Sequence, residues 1–563
     1  MERIWLAQYP QGTPAEVSLQ AGTTLVDVFR RSCERFASRP AFHNLGTTLS
    51  YAEVDARSRD FAAWLTANGM RKGERIALML PNVLQFPVAL FGALRAGLVV
   101  VNTNPLYTAR ELEHQLRDSG ATCIVVLANF AHVVQKVIAR TSVRSVIVTQ
   151  LGDLLRFPKG AIVSWAARRV KRLVPEYRIA GALSFREVLD AGSRLRFAPP
   201  PIDAEDLAFL QYTGGTTGVA KGAMLSHRNL VANLEQVATL WSSIVEDGAE
   251  VVITPLPLYH IFCLTACLTF VKHGGLGVLI TNPRDIPAFI AELGRWRFTF
   301  ISGVNTLYNA LLAHPRFARL DFSKLKLGIA GGMSLHPSVA ERWAKTTGRD
   351  LIEGYGLTEA SPVVACNLPG ASRIGSVGVP VPSTEISIRD EGRELERGME
   401  GELCVRGPQV MRGYWQMPEE TAKTLDADGW LHTGDIARMD DDGYIRIVDR
   451  KKDMIIVSGF KVFPNEIETV LTTHSAVVEA GCIGVPDERS GQAVKAFVVV
   501  RETLTVEQVR EFCRERLTGY KVPKYIEFRP TLPKTNIGKI LRRALVDETQ
   551  KDRHDDVGTG THR

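Results

Sequence analysis

The sequence predicts an α/β protein of two domains: a large one in which mixed and parallel β-sheets are flanked by helices, followed by a small α+β one. Three observations carry this. Between Ile76 and Leu127 short apolar runs alternate with segments of helical periodicity, the rhythm of βαβ units whose parallel strands are buried on both faces. At 563 residues, 45% of them apolar, the chain is too long for a single core. After a charged run that begins at Val448 the strands and helices become short and interleaved, which places the boundary at residue 450. The expected units are 1–450, a lid over 451–547, and a polar tail over 548–563 that is too hydrophilic to order.

In chain order, Leu25, Val28, Phe29, Cys33 and Phe36 recur at helical spacing, and Ser50-Tyr51-Ala52-Glu53 reads as a capping box that opens a helix running to Ala67. Strands follow at Ile76 to Leu80, Val99 to Asn102 and Ala121 to Leu127, with helices around Phe86 to Ala96 and Ala109 to Ser119. Leu207 to Leu210 reads as a buried strand, and Asn229 to Leu240 has helical periodicity. Gly401 to Val405 alternates as a strand. In the lid, strands are expected near Ile455, Val477 to Val485 and Lys495 to Val500, and helices over Asn465 to Leu471 and Val506 to Leu517.

Composition narrows the function. A net charge of +7 from 68 basic and 61 acidic residues is too mild for a nucleic-acid protein without a concentrated patch, so no nucleic-acid partner is expected. The eight cysteines (Cys33, Cys123, Cys263, Cys267, Cys366, Cys404, Cys482, Cys513) form no CxxC and no metal spacing, which points to reduced thiols and a cytoplasmic location. The amino-terminal residues lack the pattern of a secretory signal, and the longest uncharged apolar run, Ile261 to Val271, is too short to span a bilayer.

Tyr212 to Ala223 reads YTGGTTGVAKGA. Four hydroxyls and four glycines in twelve residues make a poor helix or strand but leave many N–H groups free to face an anion. Lys221 follows Ala220 and precedes Gly222, so the Walker spacing fails and this is a different phosphate loop, placed here in a strand-loop-helix unit. Downstream come PLPLYHIF (Pro255 to Phe262), LGIAGGM (Leu327 to Met333), EGYGLTEASP (Glu353 to Pro362), DGWLHTGD (Asp428 to Asp435), VDRKKDMIIVSGF (Val448 to Phe460) and LPKTNIGKIL (Leu532 to Leu541). Each has an ordinary reading on its own: a core histidine, a turn, a turn-stabilising aspartate, a solvated lysine. A flat group can lie against Gly331 and Gly332, and a carboxylate at Asp435 can accept from both hydroxyls of a ribose.

Together, and in this order from about Trp5 to about Val546, these stretches resemble the acyl-adenylate-forming (ANL) superfamily, and within it the bacterial long-chain fatty acid–CoA ligases. WLAQYP at Trp5, NPLYTARELEHQL at Asn104 and the join of DGWLHTGD to IVDRKKDMI point to that subfamily. Most of the superfamily carries Pro where Ala220 stands. The resemblance implies an ANL adenylating-enzyme fold with a β-barrel-like subdomain and a mobile carboxy-terminal lid. It further implies ATP-dependent conversion of a long-chain fatty acid to acyl-CoA through an acyl-adenylate, with ATP and CoA as co-substrates and Mg²⁺ as cofactor.

Residue by residue, the resemblance implies that Tyr212, Thr213, Gly214, Gly215, Thr216, Thr217, Gly218 and Lys221 hold phosphate, and that Gly331, Gly332, Tyr355 and Gly356 receive adenine. Thr358 would contact the α-phosphate, Thr213 and Glu359 would hold Mg²⁺, and Asp435 and Arg450 would bind the rest of the nucleotide. His260 would position the acyl carboxylate without moving a proton. Lys452 would be the pivot, Ser458, Gly459 and Phe460 the channel for the CoA thiol, and Lys539 the charge between carboxylate and α-phosphate.

One further segment is amphipathic. Between Lys159 and Val174, Ile162, Trp165, Ala166, Val170, Leu173 and Val174 lie on one helical arc and Arg168, Lys171 and Arg172 on the other, with Arg169 beside them. A wet helix packed on its own domain and a helix lying on the cytoplasmic face of a membrane both fit. Separately, a homodimer of the chain is an expected assembly. The rival functions are an aryl- or medium-chain acid–CoA ligase and, from another class, an inactive acyl- or nucleotide-binding protein. An adenylation domain of a peptide synthetase is disfavoured, because twenty-four residues follow Lys539 and hold no carrier-protein serine motif.

Overall fold

The computed structural model describes residues 2–213, 220–487, 489–535 and 538–558. Two sheets form the frame of the large domain. The first orders its seven strands as Leu183–Ser184, Ser145–Thr149, Cys123–Leu127, Arg75–Met79, Val99–Asn102, Leu207–Thr213 and Lys221–Ser226. Every neighbouring pair is parallel except the last, which is an antiparallel hairpin. The second has nine strands, with the parallel set Leu276–Leu279, Val251–Thr254, Phe300–Gly303, Leu327–Ala330 and Leu351–Gly356 at its centre. Strand 123–127 is buried at all five positions and strand 276–279 at all four, as parallel strands covered on both faces require.

The helices start where short polar residues stop them from fraying. Thr24, Ser50, Thr108, Ser184 and Ser226 each accept from the third residue of the following helix, whose own side chain returns a bond to the cap. Such a cap is worth about 1 kcal/mol. The helix expected over 109–119 is observed as Ala109–Ser119, and the helix expected to run to Ala67 as Tyr51–Ala67.

A third sheet, of five antiparallel strands, corresponds to the barrel-like subdomain. Its ladder runs Arg393–Glu394, Glu385–Asp390, Gly401–Arg406, Leu431–Met439, Ile445–Arg450. Trp5 packs on it so tightly that a Cβ on Gly443 would stand 2.6 Å from the Trp5 Cβ. The small domain begins beyond Arg450 with a sheet ordered Phe460–Val462, Ile455–Val457, Gly491–Val500, Val477–Asp487, to which Tyr525–Phe528 adds in parallel. It has cores of its own, one around Ile467, Leu471, Cys482 and Val498, the other around Phe497, Leu532 and Leu545. Seven of the eight thiols are buried and the eighth, Cys267, is partly so; none is paired.

Three expectations change. The phosphate loop does not join a strand to a helix: Lys221–Ser226 returns as a second strand before the helix His227–Leu240 begins. Ala223 and Leu225 are buried in that strand, whose small residues hid it within a glycine-rich stretch. Gly214, Gly215, Thr216, Thr217 and Gly218 lie outside the described residues. The tail placed at 548 is helical as far as Gly558, since Arg542–Gly558 is one helix that buries Leu545 and Thr549, and the rest of it lies outside the described residues. The segment from 159 is an α-helix only over Lys159–Trp165, and Ala166–Val170 is wound more widely. Gly160 and Ala167 face the domain, while Phe157 is 90% exposed, Trp165 61%, and Ile162, Val170 and Leu173 at least half. No helix among the described residues is long and apolar enough to cross a membrane.

Candidate active site

Five chain segments converge where the second sheet, the five-stranded sheet and the small domain meet. Asp435 and Arg450 are directly paired across neighbouring antiparallel strands. Arg450 Nε stands 2.6 Å from Asp435 Oδ1, and the Tyr355 hydroxyl donates to Asp435 Oδ2 at 2.5 Å. Thr433, buried and donating to Leu403 O, accepts the Asp435 N–H and fixes the carboxylate's direction. Burial and the Asp435 charge beside it raise the Tyr355 phenol well above its ordinary value, so it remains a donor.

Tyr355 ends the strand Leu351–Gly356, and a short turn, Thr358–Ala360, presents Thr358 and Glu359 half-exposed. Gly356 is required there for packing alone, since a Cβ would meet Pro362 O at 2.2 Å. Glu359 Oε1 accepts from the Tyr414 hydroxyl at 2.6 Å. The Tyr414 ring also carries Lys221, whose ammonium lies 5.0 Å from the ring centroid and pairs with Glu420. Lys221 and its neighbour Lys423 hold the Glu420 carboxyl down at about 2. The base of the hairpin is anchored differently. Tyr212 is buried and donates to Asp118 at 2.5 Å, so its side chain serves the core, and only its backbone and Thr213 border the loop.

His260 precedes the helix Ile261–Lys272 and caps it, its Nδ1 accepting from Phe262 N–H at 3.4 Å. Burial lowers its pKa to about 4, so the ring is neutral with its proton on Nε2. Phe262 lies against Gly331, where a Cβ would come within 3.0 Å of the ring, so this glycine admits an aromatic side chain. Gly332 is exposed, with φ of 77°. Tyr259 and Phe262, which flank His260 in the chain, and Leu307 and Met333 are partly buried against the main core.

From the small domain comes Lys539. It is half-buried, and among the described residues its ammonium makes no hydrogen bond or ion pair. Burial lowers its pKa, as does the positive charge of Arg450, while Asp435 opposes both. Its ammonium is thus within electrostatic reach of the Asp435–Arg450 pair. Its neighbour Gly538, with φ of 86°, packs where a Cβ would touch Thr306 Oγ1 at 2.7 Å, so the loop is seated on the large domain. Lys452 lies exposed in the turn between Arg450 and Ile455. Ser458 and Gly459, both at positive φ, turn the hairpin that ends in Phe460. Phe460 is 54% exposed and stacks on Tyr520 at 4.6 Å, and no contact joins this tip to the nucleotide residues among the described residues.

Sequence reasoning missed Tyr414, Glu420, Glu353 and Asp449. Glu353 opens a quoted motif, yet nothing about its type announced that it is buried, accepts from Leu335 N–H, and is raised by burial to about 8.

Carboxylates, cations and hydroxyls from the two domains thus lie near one another, a donor and acceptor set suited to a phosphorylated ligand. Residues 29–415 match the AMP-binding enzyme family, and residues 466–539 match the AMP-binding enzyme C-terminal domain. The chain belongs to this family of adenylating enzymes. It is 55% identical over 555 residues to a long-chain-fatty-acid–CoA ligase of Salmonella typhimurium, covering 98% of this chain and 99% of the other. A long-chain-fatty-acid–CoA ligase of Bacillus subtilis is 40% identical over 559 residues, with 98% and 99% covered. Among solved structures, an anthranilate CoA ligase in complex with anthranoyl-AMP superposes with a TM-score of 0.84 at 26% identity, over 95% of this chain and 99% of that one.

Proposed function

We propose that this protein activates long-chain fatty acids in two reactions at one site: acid and ATP give acyl-adenylate and pyrophosphate, and the CoA thiol then takes the acyl group and releases AMP. The single observation that carries the first reaction is the Lys539 loop seated on the large domain at Thr306, with the unpaired ammonium in electrostatic reach of the Asp435–Arg450 pair. The already ionised carboxylate attacks the α-phosphorus as pyrophosphate leaves, against the repulsion of an anionic phosphate, so this step needs charge neutralisation more than a base. Lys539 supplies a positive charge where carboxylate and α-phosphate meet. Asp435 accepts from the ribose hydroxyls, Arg450 and Thr358 hold phosphate oxygens, and Nε2–H of neutral His260 orients the carboxylate. Glu359 and Thr213 offer the hard oxygen donors that Mg²⁺ prefers, and the ion would neutralise charge on the triphosphate.

For the second reaction the small domain turns about Lys452, withdrawing Lys539 and presenting the backbone of Ser458, Gly459 and Phe460 to the pantetheine arm. The fatty acyl chain is assigned to the apolar side chains around Phe262, and the similarity to long-chain-fatty-acid–CoA ligases supports that choice of substrate. Pyrophosphate release should require ATP and oleate together. A chain-length series from C6 to C18 against 4-coumarate should favour the long acids, and a preference for 4-coumarate would reject this reading.

The same substrate favours contact with a membrane surface on the cytoplasmic side. Phe157, Ile162, Trp165, Val170 and Leu173 point outward beside Arg168, Arg169, Lys171 and Arg172. A helix packed on its own domain would hide that apolar arc instead. Co-sedimentation with anionic liposomes should fall severalfold when the four basic residues are made neutral, and unchanged co-sedimentation would refute the contact.

A further inference from the structure

Arg542, three residues beyond Lys539, holds together groups from both sides of the pivot. Its Nε and one terminal nitrogen fork onto the two oxygens of Glu468 at 3.0 and 2.8 Å. The other terminal nitrogen is shared between Asp449 at 3.2 Å and Asp453 at 3.0 Å, and Asn465 accepts a further bond. Asp453, Asn465 and Glu468 follow Lys452 and belong to the small domain. Asp449 precedes it, on the strand Ile445–Arg450 of the large domain.

Asp449 is fully buried, and its second oxygen accepts the Asn465 N–H at 2.7 Å, in the first turn of the helix Pro464–Thr472. A turn about Lys452 carries Arg542, Asp453, Asn465 and Glu468 together and leaves Asp449 behind. The Asp449 contacts therefore distinguish one orientation from another, together with the Asn465 Nδ2–H donated to Val448 O at 3.3 Å and the seat of Gly538 against Thr306. A buried carboxylate stripped of its guanidinium is costly, whereas the side-chain hydrogen bonds Thr472 with His336 Nδ1 at 3.1 Å and Asn465 Nδ2 to Val448 O at 3.3 Å are neutral and of the weaker kind.

We infer that Asp449, acting through Arg542 and Asn465, is a positioning residue for adenylation: it holds the small domain in the orientation that brings Lys539 within electrostatic reach of Asp435 and Arg450. The inference rests on the two-reaction reading above. Lys539 does the chemistry and Asp449 sets how often it is present. Releasing Asp449 is then part of what the turn toward CoA must overcome.

The test uses the full chain and two single-turnover measurements: oleoyl-adenylate formation from ATP and oleate, and reaction of preformed oleoyl-adenylate with CoA. Asp449→Asn keeps the size and an acceptor oxygen but loses the charge. It should slow the first reaction at least tenfold, on the order expected for losing one partner of a buried pair, while the second is unchanged or faster. Glu468→Gln weakens the same cage wholly within the small domain, so it should lower Tm without altering the ratio of the two rates. Arg542→Lys, which keeps the charge but cannot fork, should skew the ratio in the direction of Asp449→Asn and carries the test should that variant not fold. The inference is overturned by Asp449→Asn, or in its place Arg542→Lys, slowing both reactions by a common factor or neither, or by Glu468→Gln skewing the ratio equally. A wild-type protein that forms no oleoyl-adenylate would instead reject the two-reaction reading.

Discussion

The two halves of the site are built in opposite ways. On the large domain the charged groups arrive already paired: Asp435 with Arg450 and Tyr355, Glu359 with Tyr414, Lys221 with Glu420. On the small domain the groups proposed to act are bare, Lys539 without a partner among the described residues and the Ser458–Phe460 tip in solvent. Pairing pre-organises dipoles and charges so that little rearrangement is needed during reaction. Bareness allows one group to leave and another to arrive. The difference separates what must be the same in both reactions from what must be exchanged between them.

The largest expected effect breaks the bare half directly. Lys539→Ala should slow adenylation by roughly a hundredfold or more, about 3 kcal/mol, while retaining much of the thiolation of preformed acyl-adenylate. Equal loss of both in single-turnover assays would mean that Lys539 does not belong to one reaction only.

Next comes the pivot. No hydrogen bond from the Lys452 N–H exists among those of the described residues, so Lys452→Pro removes none and mainly stiffens the turn. Thiolation should fall about tenfold more than adenylation, as expected where a conformational step limits turnover. Normal thiolation in this variant would argue that the lid turns elsewhere or not at all.

The smallest effect sharpens the paired half. Glu353, beneath Tyr355, titrates at about 8 in the folded protein against about 4.5 unfolded. Between those values the native state binds the extra proton, so stability falls as pH rises through that window. Glu353→Gln should therefore match wild type in Tm near pH 4.5 and exceed it by a few degrees near pH 8. A Tm difference that does not grow with pH would show that the carboxyl is not buried neutral.

The frame was legible because parallel strands leave continuous apolar runs and capping boxes leave Ser-x-x-Glu signatures, as at Ser50 and Glu53. Asp435, Arg450 and Lys539 were legible only as members of motifs. That the first two pair, and that the third comes within electrostatic reach of them, depends on how strands and domains meet. Tyr414 and Glu420 were invisible, because Glu420 lies 199 residues from its partner Lys221 and neither residue sits in a periodic pattern. The strand Lys221–Ser226 was missed for a local reason: Gly222 and Ala223 read as loop, and only pairing with Leu207–Thr213 makes them extended. Asp449 carries a charge in a charged run, where exposure is the ordinary expectation, and tertiary packing reversed it.

The thiols have a practical consequence. Burial pushes Cys33, Cys123, Cys267, Cys366 and Cys404 up to about 12, Cys513 to about 11, and Cys263 and Cys482 higher still. A maleimide probe reacts with thiolate, of which these sites offer almost none near neutral pH. A cysteine introduced at exposed Phe460 would therefore be labelled against a dark background, and fluorescence from that one position could follow the lid in the wild-type framework without first stripping the native cysteines.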